Sequence, residues 1–579
     1  MGCYSIIFYD GGIIMNYTER YQYWLGAGLP EDVQAELVSI AKDEEELKGR
    51  FGSDLQFGTA GMRGIMGAGS NRLNRYTVRR AAQGMAAWLS GTDLPQKAAI
   101  GYDSRHNSQL FAEVCAVAFA EAGIQVWLYD RLAPTPMLSY AVRELGCGCG
   151  IVISASHNAG AYNGVKCYGP DGCQMTDEPA AVVTAKISEI PFFVPEKKTF
   201  AQYMEEGIIH YIGQDLWERY YQTVLNEAVD PEMLKSAGLN IVYTPLCGTG
   251  MEPVHAVLGK LGVNITTVAC QAKPDGDFKT CEYPNPETDA ALNESYKVAA
   301  TAPCDVILGT DPDADRVAIA VPNGKGGFTK LSGNELGFML LDYILKARTA
   351  KGDIPEGAIT VRSIVSSPLA DRIAEYYGVT MKAVLTGFKY IGGEILELEQ
   401  KGEEKKFIFG FEESCGYLKG TYARDKDAIV ASMLVCELAA SMKLQGKSIL
   451  DALDEVYAKY GYYLAYVQSI ELTGADAMEK AAKMMADLRS DVPATIGGAA
   501  VSAVRDYKTS IAKDLVTGEE TAILLPKSNV LELILGDKGS VIARPSGTEP
   551  KVKFYYTAVG ETKETAKVLL DACVAQMSN

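Results

Sequence analysis

Apolar and polar positions along this chain follow two rhythms. Short apolar runs, each emptying into a polar or charged loop, are separated by longer stretches with an apolar residue at every third or fourth position. Three runs lead into the most informative loops. Ile151-Val152-Ile153 precedes Ser154-Ala155-Ser156-His157-Asn158. Val306-Ile307-Leu308 precedes Gly309-Thr310-Asp311-Pro312-Asp313-Ala314-Asp315-Arg316, and Phe407-Ile408-Phe409 precedes Gly410-Phe411-Glu412-Glu413-Ser414. Each has an apolar partner run roughly 40 to 70 residues upstream, a spacing that leaves room for helices between paired strands. The partners are 98–100, 241–243 and 358–361, and the pattern predicts helices over 76–89, 108–122 and 428–442.

Strands that alternate with helices mark α/β domains, in which ligands sit at the C-terminal ends of the strands. Beyond about residue 457 the texture changes. Leu531-Glu532-Leu533-Ile534-Leu535 turns at Asp537-Lys538-Gly539 into Val541-Ile542-Ala543 and then Arg544-Pro545-Ser546-Gly547-Thr548. The expected fold is therefore three related α/β domains with mixed sheets plus a smaller C-terminal α+β domain around one central cleft. The boundaries drawn are 1–214 with the serine loop, 215–330 with the acidic loop, 331–456 with the Glu412 loop and 457–579 with the Arg544 loop.

Composition narrows the function classes. At 579 residues the chain exceeds what one core supports, and 47% apolar with 22% charged residues is ordinary for a folded cytosolic protein. The balance of 55 basic to 73 acidic residues, a net −18, argues against nucleic acid or an anionic membrane as partner. A phosphate site in such a chain must be a local basic pocket. Thirteen cysteines with no C-x-x-C pair point to reduced thiols and a cytoplasmic location. Residues 1–14 make a poor signal peptide, and Met15 offers an alternative start. No apolar run reaches membrane-spanning length.

Four loops carry candidate chemistry. Ser154 and Ser156 present hydroxyls at the mouth of a buried strand, which suits a phosphorylated serine, a hydrolase serine or a plain polar turn. His157 reads as a structural histidine, because adjacent side chains on an extended loop diverge. Asp311, Asp313 and Asp315 alternate, so an extended backbone would aim all three carboxylates to one side, a costly cluster without a cation. Hard oxygen ligands in a compact loop suit magnesium shared with a substrate phosphate, and the EF-hand spacing fails at Arg316 and Pro322. Glu412 and Ser414 have the spacing to grip two sugar hydroxyls, and Arg424-Asp425-Lys426-Asp427 follows with cationic groups. Arg544, Ser546, Gly547 and Thr548 form an anion-binding candidate. Nucleotide motifs are missing, since Gly446-Lys447-Ser448 lacks the first P-loop glycine.

Taken together the loops resemble the α-D-phosphohexomutase family, in the branch of bacterial phosphoglucomutases related to the phosphopentomutases. The resemblance runs from about residue 51 to the C-terminus and also takes in Phe57-Gly58-Thr59-Ala60-Gly61-Met62-Arg63-Gly64 and Thr386-Gly387-Phe388-Lys389. It implies four domains around one cleft, with Ser156 carrying a phosphoryl group and standing beside His157 among the catalytic residues. It further implies that Asp311, Asp313, Asp315 and the Ser156 phosphate hold magnesium, and that Lys166 acts as general base, for which its pKa must be depressed. Arg63, Arg316 and Lys426 would lie near the transferring phosphoryl group; Thr386, Gly387, Glu412 and Ser414 would bind the sugar; and Arg544, Ser546, Gly547 and Thr548 would hold the non-reacting phosphate. The implied reaction interconverts glucose 1-phosphate and glucose 6-phosphate through glucose 1,6-bisphosphate, by a monomer or homodimer. Ribose or mannose phosphates are the alternative substrates. Ala159 and Cys247 depart from the family pattern, replacing a proline and a histidine. A phosphatase is disfavoured because Asp315 stands where its D-x-D-x-T pattern needs threonine, and a catalytically dead sensor is disfavoured because the reacting groups are present.

Overall fold

Cys149–Ile153 is buried along its whole length at the middle of a six-stranded sheet. The order is Gly61–Ile65, Tyr162–Tyr168, Cys149–Ile153, Lys97–Tyr102, Gln125–Tyr129 and Ile209–Ile212. The last four strands run parallel, while Tyr162–Tyr168 is antiparallel to both of its neighbours. A parallel strand covered on both faces has no polar side, which is why it reads as an unbroken apolar run. Ile100 pairs with Ile151, so the expected partner strand is the actual one.

Helix Arg75–Ser90 shows why the surrounding layer forms where the periodicity placed it. Asn74 accepts hydrogen bonds from the Tyr76 and Thr77 amides, and Thr77 closes a capping box. Val78, Ala81, Ala82, Met85 and Leu89 are then buried in one apolar cluster with Ile100 and Ile151 of the sheet. Burying each of the larger of these side chains stabilises the domain by about 1.5–3 kcal/mol. Ser108–Glu121 and Ala428–Leu444 also form within a residue or two of their expected ends.

The computed structural model describes residues 8–9, 13–58, 61–473, 477–546 and 551–578. These group into two compact units. The first comprises Met1–Leu331, Gly392–Glu404 and Gly416–Ser441, and the second Ser332–Ile391, Lys405–Cys415 and Met442–Asn579. Besides the six-stranded sheet, the first unit holds a mixed sheet in the order Asn264–Thr267, Asn240–Thr244, Val306–Thr310, Val317–Pro322 and Phe328–Lys330. Its first three strands are parallel, and the last two complete an antiparallel edge. Within this unit Glu437 is buried and accepts the amides of Val229 (3.0 Å) and Asp230 (2.8 Å).

The second unit contains the parallel strands Thr380–Val384, Ile359–Ser363 and Phe407–Glu412. It also contains an antiparallel seven-stranded sheet with Tyr462–Glu471 at one edge and Glu520–Ala522 at the other. The hairpin between Leu531–Ile534 and Gly539–Pro545 turns through Gly536–Lys538, at the expected place. Helices Ala477–Ser490 and Lys563–Met577 pack Met485 and Cys573 against Leu533, Val541 and Phe554, which makes this part α+β. All cysteines among the described residues are free, and no single helix there is long and apolar enough to cross a membrane.

Candidate active site

The buried strand Cys149–Ile153 delivers the serine loop at its C-terminal end. Ser154 Oγ accepts the Ser156 amide at 2.8 Å, and Ser156 adopts a left-handed backbone with φ 51°. That turn reverses one expectation. The Ser156 and His157 side chains do not diverge: His157 Nδ1 lies 3.1 Å from Ser156 Oγ, because a residue at positive φ breaks the alternation of an extended chain. Ser156 Oγ also donates to Asp311 Oδ2 at 2.6 Å. Asn158 in the same loop accepts from Arg63 at 2.7 Å.

Strand Val306–Thr310 ends at the acidic loop, where Asp311, Asp313 and Asp315 are all buried. The carboxylates converge, but not through an extended backbone. Ala314 takes φ 49°, and the loop turns back so that Asp311 Oδ1 accepts the amides of Asp315 (3.1 Å) and Arg316 (3.0 Å). One oxygen from each carboxylate lies within 4.8 Å of the others. Gly248 supports this loop from below. A Cβ there would meet Pro312 Cα at 2.4 Å, and the next residue, Thr249, donates its amide to Pro312 O at 2.8 Å.

Two lysines face the acids. Lys166, on the strand Tyr162–Tyr168, donates to Asp313 Oδ2 at 2.5 Å and to Asp315 Oδ2 at 3.2 Å. Lys426 Nζ lies 3.3 Å from Asp315 Oδ2 and 3.1 Å from Asp425 Oδ1, and Arg316 pairs with Glu287 at 2.7 Å. Burial opposes ionisation of Asp311, Asp313 and Asp315, yet Lys166, with the Thr135 and Asp311 hydrogen bonds, outweighs it at Asp313, whose carboxyl is held below the usual range. Asp315 is also held low: burial and Asp313 raise it, and Lys166 and Lys426 prevail. Asp311 is pushed well above the usual range, first by burial and then by Asp315 and Asp313.

Lys166 itself departs from expectation. Burial favours its neutral amine, but Asp313 and Asp315 outweigh burial and raise its pKa above the ordinary lysine value rather than depressing it. Asp313 Oδ1 and Asp315 Oδ1 are buried and accept no hydrogen bond. Anionic oxygens in that state suit a hard divalent cation, so the donor set fits a metal.

The second unit holds the remaining candidates. Glu412 ends the strand Phe407–Glu412, and its Oε1 accepts the Gly387 amide at 2.7 Å. Gly387 has φ 122°, and the buried Thr386 hydroxyl beside it has no hydrogen-bond partner. Glu413 Oε2 accepts from Ser363 at 3.0 Å, which anchors the loop carrying the half-exposed Ser414. Arg544 hydrogen-bonds to the Tyr555 hydroxyl, which burial and Glu413 push above the usual tyrosine value. Ser546 donates its amide to Lys551 O at 2.8 Å, and Gly547 and Thr548 lie outside the described residues.

Three contributors escaped sequence reasoning. Thr135 donates its hydroxyl to Asp313 Oδ2 (2.8 Å) and its amide to Asp313 O (2.9 Å), although nothing in Pro134-Thr135-Pro136 signals a partner so distant in the chain. Tyr555, buried behind the phosphate-loop candidate, holds Arg544 by a hydrogen bond. Arg105 ties down the serine loop, and its only signal was its place in a polar loop at a strand end. Arg424, in the expected cationic segment, is instead buried and donates to Glu399 at 2.8 Å.

Comparison with known proteins adds the family context. Models of phosphoglucomutase/phosphomannomutase alpha/beta/alpha domains I, II and III match residues 54–193, 218–326 and 332–460, and the C-terminal domain model matches 478–573. A phosphoglucomutase of Staphylococcus epidermidis is 36% identical over 528 residues, covering 91% of this chain and 94% of that protein. A phosphoglucomutase of Staphylococcus aureus is 36% identical over 515 residues, covering 88% and 90%. Among solved structures, the phosphoglucomutase/phosphomannomutase family protein of Burkholderia thailandensis has a TM-score of 0.65 at 17% identity, covering 91% of this chain and 97% of that one. The open form of parafusin (phosphoglucomutase) from Paramecium has a TM-score of 0.66 at 16% identity, covering 91% and 94%. At those identities the two structures speak to the fold alone.

Proposed function

The chain belongs to the phosphoglucomutase/phosphomannomutase family, and from that membership we propose that it interconverts glucose 1-phosphate and glucose 6-phosphate through a phosphoserine enzyme and glucose 1,6-bisphosphate. One observation carries the reading. A serine hydroxyl at the end of a buried strand donates to one carboxylate of a three-carboxylate cluster that two lysines also face.

In this reading phospho-Ser156 gives its phosphoryl group to the free sugar hydroxyl, the bisphosphate turns over before release, and its other phosphate returns to Ser156. A covalent phosphoenzyme divides the exchange into two in-line transfers, each needing mainly alignment and charge stabilisation. Asp311, Asp313 and Asp315 would hold magnesium, which when bound supplies positive charge to the phosphoryl oxygens. We assign Lys166 and Lys426 to stabilising negative charge on the transferring group. Lys166 enters as an ammonium, and a base role requires its two carboxylates to be drawn away first. We assign His157 to holding Ser156 Oγ in place, on the 3.1 Å approach of its Nδ1. Glu412 and Ser414 would take sugar hydroxyls, with Thr386 and Gly387 supporting Glu412. Arg63 and Arg316 would add charge near the transferring group, and Arg544 and Ser546, with Gly547 and Thr548, would hold the other phosphate.

The test is magnesium-dependent turnover of glucose 1-phosphate, mannose 1-phosphate and ribose 1-phosphate, side by side, with trace hexose bisphosphate. A lead in kcat/KM for glucose 1-phosphate is expected. A lead for ribose 1-phosphate would move the chain to phosphopentomutase chemistry, and a lead for mannose 1-phosphate to phosphomannomutase chemistry. Phosphate release without isomerisation would overturn the mutase reading.

A further inference from the structure

Ser156 sits at φ 51°, a conformation that a residue with a Cβ holds only where its surroundings enforce it. Arg105 is the enforcing group. Its Nη2 donates to the carbonyls of Ser156 (2.6 Å) and Asn158 (2.5 Å), and its Nη1 to those of Ala159 and Tyr162, both at 2.9 Å. The side chain has no exposed surface, and Asp103 Oδ2 lies 3.3 Å from its Nε. Asp103 is itself fixed, since its Oδ1 accepts the Arg105 amide at 3.0 Å and the Ser108 hydroxyl at 2.8 Å. The ring of Phe278, buried and itself at φ 48°, covers the guanidinium at 5.0 Å.

Both peptide groups of Ser156 are therefore pinned. Its carbonyl is held by Arg105, and its amide by Ser154 Oγ. Only a planar fork of fixed N–H groups reaches four carbonyls at once; a lysine presents a single nitrogen. Ala159, which departs from the family pattern, has its carbonyl in this clamp, so the loop stays tied without the usual proline. Whatever leaves Ser156 free to relax from φ 51° would also turn its Oγ away from Asp311 and His157.

We propose that Arg105 is a positioning residue for phosphoryl transfer. Held between Asp103 and Phe278, it fixes the backbone of Ser156 and so aims the seryl phosphate at the sugar hydroxyl rather than at water. The inference rests on the phosphoserine reading above. Transfer to water breaks the same seryl O–P bond, forms a new P–O bond to the water oxygen, returns a proton to Ser156 and releases inorganic phosphate. A residue that only supported the fold would lower the amount of active enzyme and leave this partition unchanged.

The experiment labels the full-length enzyme with radioactive hexose bisphosphate and follows label lost to sugar and to water, alongside steady-state kinetics and circular dichroism. For folded Arg105→Lys, we expect kcat to fall about 100-fold, KM to stay within about threefold, and the water share of the label to rise at least about tenfold. Should Arg105→Lys not fold, Phe278→Ala, which uncovers the guanidinium and so loosens its hold on the four carbonyls, carries the same readouts with an expected change of about tenfold. A folded variant with an unchanged partition overturns the proposal. A wild-type enzyme that takes no label on Ser156 overturns the phosphoserine reading instead, so the two failures are distinguishable.

Discussion

Ser156 and Asp311 are 155 residues apart in the chain and share a 2.6 Å hydrogen bond from Oγ to Oδ2. Two sheets of the first unit are thereby joined at their C-terminal ends, with the reactive hydroxyl beside the carboxylates that fit a cation.

Replacing Ser156 by alanine removes the atom that would carry the phosphoryl group. With bisphosphate and magnesium present, kcat is expected to fall by at least about 10⁴-fold, as for loss of a covalent nucleophile. Turnover measured by coupled assay within tenfold of wild type would refute a phosphoserine mechanism.

Thr135→Val keeps the shape of a side chain that is wholly buried but removes its hydrogen bond to Asp313. Groups that orient a metal ligand typically matter by about 10–100-fold in affinity or activity. The magnesium concentration for half-maximal activity should rise at least about tenfold in the variant, with little change in thermal midpoint. An unchanged magnesium titration would show that Thr135 does not orient Asp313.

Lys166→Met leaves Asp313 and Asp315 without their nearest shared cation. Breaking a buried ion pair from one side costs on the order of 3–5 kcal/mol, and a divalent cation should offset part of that. Denaturation of the variant is expected at markedly lower denaturant without magnesium, and magnesium should recover more stability in the variant than in wild type. Equal recovery in both proteins would count against shared use of these carboxylates.

Glu437 supplies a pH dependence remote from the serine loop. Burial raises its carboxyl from 4.5 to about 7, against the lowering effect of the Val229 and Asp230 amides. A carboxyl raised in the folded state binds its proton more tightly there than when unfolded. Its stabilising contribution is therefore complete below about pH 4.5 and is lost as pH rises through about 7, an effect of about 3 kcal/mol. Glu437→Gln, which does not titrate, should flatten the slope of stability against pH between 5 and 8 in denaturant titrations. A slope identical to wild type would remove Glu437 from the account.

What the sequence by itself determined is the local plan. The apolar run 151–153 marks a strand, the four-residue rhythm of 76–89 marks a helix, and the polar residues after each strand mark the loops where chemistry gathers. Such features depend on neighbours in the chain, and periodicity records them. The tertiary structure decided the partners. Ser156 meets His157 because a left-handed residue turns the loop, and the three aspartates converge through a bend at Ala314 rather than along an extended strand. Lys166 is a paired ammonium because the strand Tyr162–Tyr168 brings it to Asp313. Thr135 and Arg105 matter only through atoms far along the chain. Backbone reversal, register and distant pairing are set by how elements pack together, so no window of sequence around any one of these residues contains them.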